Sequence, residues 1–488
     1  MDRHVGDMSP AEFRRFGHRL IDWVADYLDD PERWPVLAQV RPGALAAALP
    51  DEAPLEPESF EQVLDDFERL VPGATTHWNH PGFFAYFAIT GSGPGVLGEL
   101  LAAAFNVNAM LWRTGPAATE LEHVTLDWLR RMIGLDAGFT GTINDTASTS
   151  TMYALAAARE ADPSLRIREE GLAGRPEIPR LRIYCSEEAH SSVDKAAIAL
   201  GLGLDGVRRL PTDDRFALRV DALRDAVAQD VAAGIRPLAV VATVGTTSTT
   251  GVDPVPAIAD VCAEHRMWLH VDAAYGGSAA VLPEMRHILE GCERADSLVV
   301  NPHKWLFVPV DCSALYTRRD EVLRGAFALT PAYLTTSEGT AVRNLMDYGV
   351  ALGRRFRALK LWFVLRYFGV HGIEARLREH IRLARLFADA VERAPDLELL
   401  APVQFSVVVF RHRPADMQDA ELDAYNQALL ERLNATGEVF LSHTIVRGRF
   451  GLRLAVGNLR TTERHVRRVL ELIGEVAERG DDRVAGES

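Results

Sequence analysis

With 488 residues the chain is long enough for about three domains, or for one large domain with appendages, and too long for a small disulfide-stapled module. Its 53 basic and 68 acidic side chains leave a formal charge of −15, which argues against a general nucleic-acid binder, whose affinity needs a basic face. Hydrophobic residues make up 48% and charged residues 25%, an ordinary globular composition, and the most apolar run, Leu238–Val244, falls far short of the ~20 residues of a membrane helix.

Ser9-Pro10 opens a predicted helix over Ala11–Leu28, with Phe13, Phe16, Leu20, Ile21, Val24 and Leu28 on one face. Pro31, Pro35, Pro42 and Pro50 break the pattern, and the capping box Ser59-Phe60-Glu61-Gln62 starts a second helix through Leu70. This helical segment, 1–90, reads either as a domain appendage or as an arm across a dimer partner. From 91 to 350 the rhythm changes. Short β-branched runs at Leu181–Cys185, Leu238–Val244, Trp268–Val271, Ser297–Val300 and Ser313–Tyr316 alternate with helical stretches such as Ser148–Glu160 and Pro256–His265. That alternation predicts an α/β fold, with a mostly parallel central sheet and helices on both faces, and ligands bound beyond the carboxyl ends of the strands. From 351 to 480 a long helix at Gly353–Phe368, strands at Phe405–Arg411, Val439–Ile445 and Gly451–Val456, and a helix at Thr462–Glu478 predict a small α+β domain; 481–488 reads as a flexible tail. Cys185, Cys262, Cys292 and Cys312 form no C-x-x-C pair, so no metal is expected, and with no apolar leader at the N-terminus the expectation is a cytoplasmic protein.

The chemistry-bearing residues follow strands. Lys304, in Asn301-Pro302-His303-Lys304-Trp305, ends the run Ser297–Val300. It is either a lysine snorkelling to the surface or an amine of depressed pKa, poised to form an imine with a carbonyl. Asp272 ends the strand before it, in His270-Val271-Asp272-Ala273-Ala274-Tyr275-Gly276-Gly277. It is either the lysine's salt-bridge partner or the carboxylate that keeps a pyridinium nitrogen protonated. The small polar run Gly141–Thr149 enters the helix Ser148–Glu160 and is either an ordinary N-cap or a phosphate site. His190, in Ala189-His190-Ser191-Ser192, follows another strand and is either structural or able to stack on a flat ring as an acid or base. Thr246 is a turn threonine or a hydroxyl offered to the same crevice.

These motifs, with Phe83-Phe84-Ala85-Tyr86-Phe87 and Thr119-Glu120-Leu121-Glu122, resemble in order and spacing the group II pyridoxal-phosphate amino-acid decarboxylases, and within them the aromatic-L-amino-acid type, from about Glu12 to about Val476. The resemblance implies a type I pyridoxal-phosphate fold, like that of aspartate aminotransferase. It also implies a homodimer with sites at the interface and pyridoxal 5'-phosphate as cofactor. Lys304 would hold the cofactor covalently, Asp272 would pair with its ring nitrogen, Ala274 would pack on one ring face and His190 on the other. Thr146, Ala147, Ser148 and Asn301 would hold the phosphate, with His303 beside it and Thr246 near the phenolate edge. Tyr333, in Pro331-Ala332-Tyr333-Leu334, would return a proton to Cα, although by pattern alone it is a surface turn residue.

The same resemblance places Trp78, Tyr86 and Phe87 in the substrate pocket and Gly353 where indole- and dihydroxyphenylalanine-accepting relatives carry glycine. Ala88-Ile89-Thr90 replaces a proline–threonine pair, and Asn108 and Met110 replace isoleucine and phenylalanine, in residues that would reach into the partner's pocket. The implied reaction is decarboxylation of an aromatic L-amino acid such as tryptophan, 5-hydroxytryptophan, dihydroxyphenylalanine, tyrosine or phenylalanine. The rivals are an oxygen-using aldehyde synthase, a histidine or glutamate decarboxylase, another pyridoxal-phosphate reaction, or an inactive scaffold. Retention of Tyr333 and His190 favours simple decarboxylation over the aldehyde synthase, and retention of Lys304 and Asp272 speaks against a scaffold.

Overall fold

The computed structural model describes residues 7–329 and 337–485. The N-terminal segment holds α1 (Pro10–Asp29), the one-turn α2 (Ala44–Ala47) and α3 (Phe60–Leu70), followed by α4 (Gly93–Phe105) and α5 (Pro116–Met132). α1 and α3 start on reciprocal capping boxes, Ser9 with Glu12 and Ser59 with Gln62. They meet through Phe16 on Phe60 and Trp23 on Phe67, with ring centroids 4.7 and 5.0 Å apart. The Arg15–Glu61 and Arg19–Asp65 pairs beside them are exposed, so the apolar contacts carry the packing.

The centre runs β1 (Thr140–Asn144), α6 (Ala147–Glu160), the short α7 (Ile167–Glu170), β2 (Leu181–Ser186), α8 (Ser192–Ala199), β3 (Val207–Leu210), α9 (Val220–Ala232), β4 (Arg236–Thr243), α10 (Val255–His265), β5 (Trp268–Asp272), β6 (Ser297–Val300), the one-turn α11 (Pro302–Trp305), β7 (Ser313–Thr317) and α12 (Asp320–Phe327). The seven strands lie in the order β1-β7-β6-β5-β4-β2-β3, all parallel except β7, which runs against both neighbours. β5 and β6 are buried along their whole length, as a sheet covered on both faces requires. Each strand expected in this sheet lies within two residues of its place. β1 and β3 stand outside the expectation because their sequences, TGTIN and VRRL, lack an apolar run.

The last part comprises α13 (Arg357–Arg393), β8 (Leu397–Leu399), β9 (Val407–His412), α14 (Asp419–Ala435), β10 (Ser442–Val446), β11 (Arg449–Ala455) and α15 (Glu463–Ala485), with an antiparallel sheet ordered β10-β11-β9-β8. Two expectations change here. The helix expected from Gly353 begins at Arg357, because the Arg354 N–H and C=O are bonded to Asn108 Oδ1 and Ala109 N–H. Its expected end at Phe368 holds, because Gly369 at φ 62°, a conformation glycine permits, breaks the helix there, and a second helix continues from that kink to Arg393. The backbone of α15 stays helical to Ala485, past the expected start of the tail.

Two contacts tie these layers together near the ends of β4 to β6. The chain at Gly82–Ala85 crosses the small sheet: Phe84 N–H donates to Phe440 C=O, and Ala455 N–H to Phe84 C=O, both at 2.9 Å. The turns after β4 and β5 also meet, since a Cβ at Gly276 would lie 2.4 Å from Val244 O; only glycine allows that approach. Among the described residues no helix is long and apolar enough to cross a membrane.

Candidate active site

Thr243 and Asp272 are register partners at the carboxyl ends of β4 and β5, and Asp272 pairs with Val299 of β6, so three strand ends stand side by side. Asp272 is buried and its Oδ1 accepts the Ala274 N–H at 3.1 Å. Ala274 C=O in turn accepts the Asn301 N–H at 3.0 Å, which locks the end of β6 to the end of β5. α11 then turns Lys304 back over this junction, half-buried, with its Nζ 5.1 Å from the centre of the Phe87 ring. Burial lowers the Lys304 pKa, Asp272 opposes that shift and Arg453 adds to it. Among the described residues neither Asp272 nor Lys304 makes an ion pair within 4 Å, so the two are coupled through space rather than joined as a salt bridge.

His190 stands beyond β2, open to the same space. Its Nδ1 accepts the Ser192 N–H at 3.1 Å, which leaves Nε2 as the proton-bearing nitrogen of the neutral ring. The surrounding walls lower its pKa, Asp272 raises it and Lys304 lowers it, so all three groups share one field. The Thr246 hydroxyl is fully buried and engaged in its own turn, accepting the Gly251 N–H at 2.8 Å and lying 3.1 Å from Thr249 Oγ1. Its hydrogen bonds are therefore those of the turn.

At the other end of the crevice Thr146 caps α6, accepting the Thr149 N–H. Ala147 and Ser148 occupy the first turn, where backbone N–H groups have no helical acceptor. His303 is buried, its Nδ1 accepts the Cys312 N–H at 2.8 Å, and burial drives its pKa down to about 3. One end of the buried Asn301 amide faces His303 Nε2 at 3.3 Å, and among the described residues the other end has no partner, nor has the buried Ser192 hydroxyl. Unsatisfied buried polar groups are rare and ask for a ligand. A reachable amine, a carboxylate at the strand end and a helix start with spare donors together fit a phosphorylated pyridine aldehyde.

The pocket residues fall into three groups. Phe87 stacks on Tyr275 at 3.7 Å, and Tyr275 on Trp305 at 4.6 Å, so Phe87 belongs to the wall beside Lys304. Trp78 and Tyr86 stack on each other at 5.8 Å, with Tyr86 half exposed, and Thr90 is buried with its hydroxyl 3.4 Å from Asn79 Oδ1 while Ile89 is partly buried. Asn108, Met110 and Gly353 form a separate cluster: Asn108 Oδ1 accepts the Arg354 N–H at 3.0 Å, its Nδ2 lies 3.4 Å from Met110 Sδ, and a Cβ at Gly353 would lie 3.8 Å from Nδ2. Among the described residues no hydrogen bond, ion pair or ring contact joins this cluster to Lys304, Asp272 or His190. Tyr333 lies outside the described residues.

The sequence reading misses Arg453. It is buried in β11, with its Cζ 4.8 Å from the centre of the Phe87 ring and one Nη donating to Ala85 C=O at 2.9 Å. Among the described residues its Nε and other Nη have no partner, and burial lowers its pKa to about 10. Tyr275 covers one face of Phe87 at 3.7 Å, so Arg453 and Lys304 must approach from the other face or the edge. The available signal is a charged residue inside the otherwise apolar strand Gly451–Val456.

Residues 42–413 match the pyridoxal-dependent decarboxylase conserved domain. The chain is 41% identical to a tryptophan decarboxylase of Camptotheca acuminata, over 96% of this chain and 95% of the relative. It is 39% identical to a phenylacetaldehyde synthase of Arabidopsis thaliana, over 96% of both. The crystal structure of Oryza sativa TDC with PLP and tryptamine superposes with a TM-score of 0.93 at 38% identity, covering 97% of this chain and 99% of that one.

Proposed function

We propose, since the chain belongs to the pyridoxal-dependent decarboxylase family, that it releases carbon dioxide from aromatic L-amino acids and yields the corresponding amines. The enzyme is a carboxy-lyase that uses pyridoxal 5'-phosphate. The observation that carries the substrate reading is the Phe87 ring shared by Lys304 and Arg453: an aromatic wall, an amine, and a buried guanidinium with two nitrogens unpartnered among the described residues. Such a cation suits a carboxylate-bearing substrate.

When bound, the cofactor supplies a ring that takes up the electron pair left by the departing carboxyl group. Asp272 would keep that ring's nitrogen protonated, Lys304 would hold the cofactor through its amine, and His190 would cover the ring. The start of α6, with Thr146, Ala147, Ser148, Asn301 and His303, holds the phosphate. Arg453 draws the substrate carboxylate toward Phe87, and Tyr333 returns a proton to Cα.

A homodimer is part of this reading. α4 leaves Leu97, Leu100, Leu101 and Phe105 41–67% exposed along one short helix, a face that a second copy would cover. The Asn108–Met110–Gly353 cluster would then serve the partner's site. Four buried, unpaired cysteines suit a reducing compartment, and we place the protein in the cytoplasm.

The test is to incubate the holoenzyme with tryptophan, 5-hydroxytryptophan, dihydroxyphenylalanine, tyrosine, phenylalanine, histidine and glutamate, measuring carbon dioxide, amine, aldehyde and hydrogen peroxide. Amine and carbon dioxide in equal amounts, from aromatic substrates only, is the expected result. Peroxide matching carbon dioxide would instead identify an aldehyde synthase. Tyr333→Phe should shift the products from amine toward aldehyde and peroxide; an unchanged ratio removes Tyr333 as the proton donor.

A further inference from the structure

Behind the phosphate end of the site lies a buried charge cluster that the reaction above does not use. Lys360 of α13 is 1% exposed, and lysine is almost never buried so deeply without a purpose for its charge. Its Nζ lies 3.0 Å from Glu99 Oε2 and 3.9 Å from Asp311 Oδ1. Glu99 reaches it because α4 and α13 almost touch: a Cβ at Gly98 would come within 2.8 Å of Lys360 Cα. Arg357, almost a turn earlier in α13, grips Asp311 with both Nε and Nη2, at 2.9 and 3.0 Å, and Arg355 contacts Glu99.

This cluster leads to His303 by a short route. Asp311 is followed by Cys312, whose N–H donates to His303 Nδ1 at 2.8 Å. Fixing Asp311 therefore fixes the donor that sets the imidazole's tautomer, with its proton on Nε2 toward Asn301. The charges matter as well. Asp145, at the phosphate loop, and Asp311, behind it, both act on His303 electrostatically, as does Lys360. Two carboxylates this close would repel a phosphate dianion unless cations offset them, and Arg357 and Lys360 are the cations in place.

We propose that Lys360 is a positioning residue for the phosphate end of the site. With Arg357 it pins Asp311, so that the Cys312 N–H orients His303, and it offsets the carboxylate charge where a phosphate dianion docks. The inference rests on the reading that the start of α6 and His303 hold the cofactor's phosphate.

The test uses the full-length protein after removal of bound cofactor, and compares Lys360→Met with the double variant Lys360→Met/Glu99→Gln. Methionine keeps the length of the side chain and removes its charge, and the added glutamine removes one carboxylate from the same cluster. Dissociation constants are measured for pyridoxal 5'-phosphate, which carries the phosphate, and for pyridoxal, which does not, with inorganic phosphate as a competitor. Lys360→Met should weaken pyridoxal 5'-phosphate and inorganic phosphate roughly tenfold and change pyridoxal by less than about twofold, and the double variant should recover most of the loss. An equal loss for both aldehydes, or a double variant no better than the single one, would show a purely structural lysine and overturn the proposal. Should Lys360→Met fail to fold, Glu99→Gln alone decides: it should tighten pyridoxal 5'-phosphate but not pyridoxal, and an equal change in both overturns the proposal. A wild-type protein with no preference for the phosphorylated aldehyde would overturn the phosphate-site reading itself, a failure distinguishable because it needs no variant.

Discussion

Asp272, Ala274 and His303, on the floor of the site, are at most 7% exposed, whereas Tyr86 on the rim is 50% exposed and Asn108 is open to solvent. The floor is made of residues at the ends of adjacent strands, and each is held by a backbone bond: Ala274 N–H on Asp272, Asn301 N–H on Ala274, Cys312 N–H on His303. The rim comes from loops before α4, after α4 and before α13, and the bonds of Asn108 there run to Met110 and Arg354 rather than to Lys304. A sheet repeats its geometry from strand to strand and holds a reacting ring in place, while loops can change without disturbing it. The floor should therefore govern whether the reaction occurs, and the rim which ring is accepted.

The strongest test of that division is Lys304→Ala. Turnover should fall by at least about a thousandfold, ~4 kcal/mol in the barrier, with circular dichroism and thermal midpoint nearly unchanged, because the side chain is truncated at a pocket surface. Borohydride should no longer fix the cofactor to the peptide around His303; a label still found there would refute the assignment. Asp272→Asn should cost roughly a hundredfold in turnover while preserving shape. Because Asp272 raises the Lys304 pKa, its neutralisation should also move the pH profile for labelling of that amine to lower pH in the cofactor-free protein. An unmoved profile would separate the two groups.

Arg453→Met lies between floor and rim. It should raise KM for the amino acid by about tenfold and leave inhibition by the product amine unchanged, since only the substrate has a carboxylate; equal weakening of both would give Arg453 a packing role alone. The smallest effect is expected at the rim. A serine at 353 would meet Asn108 at ordinary contact distance, 3.8 Å from Cβ to Nδ2, so Gly353→Ser should fold normally. It should change the ratio of kcat/KM for tryptophan over tyrosine by only a few-fold, about 1 kcal/mol. A thousandfold loss for every substrate would erase the distinction between floor and rim.

Much of the floor is legible from residues alone. The apolar runs that become β2, β4, β5, β6 and β7 are short, β-branched and bounded by turns, and Asp272 and Asn301-Pro302-His303-Lys304 follow two of them directly. Buried strands need such runs whatever surrounds them, so their ends, and the polar residues just beyond, can be found by counting. The capping boxes at Ser9 and Ser59 are local for the same reason: every partner lies within three residues.

Contacts distant in the chain are another matter. Thr246 follows a strand just as Asp272 does, yet its hydroxyl is taken up by Gly251 and Thr249. Gly353 precedes a helical pattern, yet its neighbour Arg354 gives its backbone to Asn108 and Ala109, some 245 residues earlier, and the helix waits until Arg357. Arg453 and Lys360 look like single charges in apolar stretches until β11 carries one to Phe87 and the packing of α13 on α4 carries the other to Glu99. By itself, then, the sequence determines where the strands and caps form and which reactive residues follow them, because those depend on local periodicity and short-range hydrogen bonds. Which charges are buried, which hydroxyls remain available and which residues share one ring are decided only when distant segments pack, because the free energy of a buried polar group depends on the neighbours that folding brings to it.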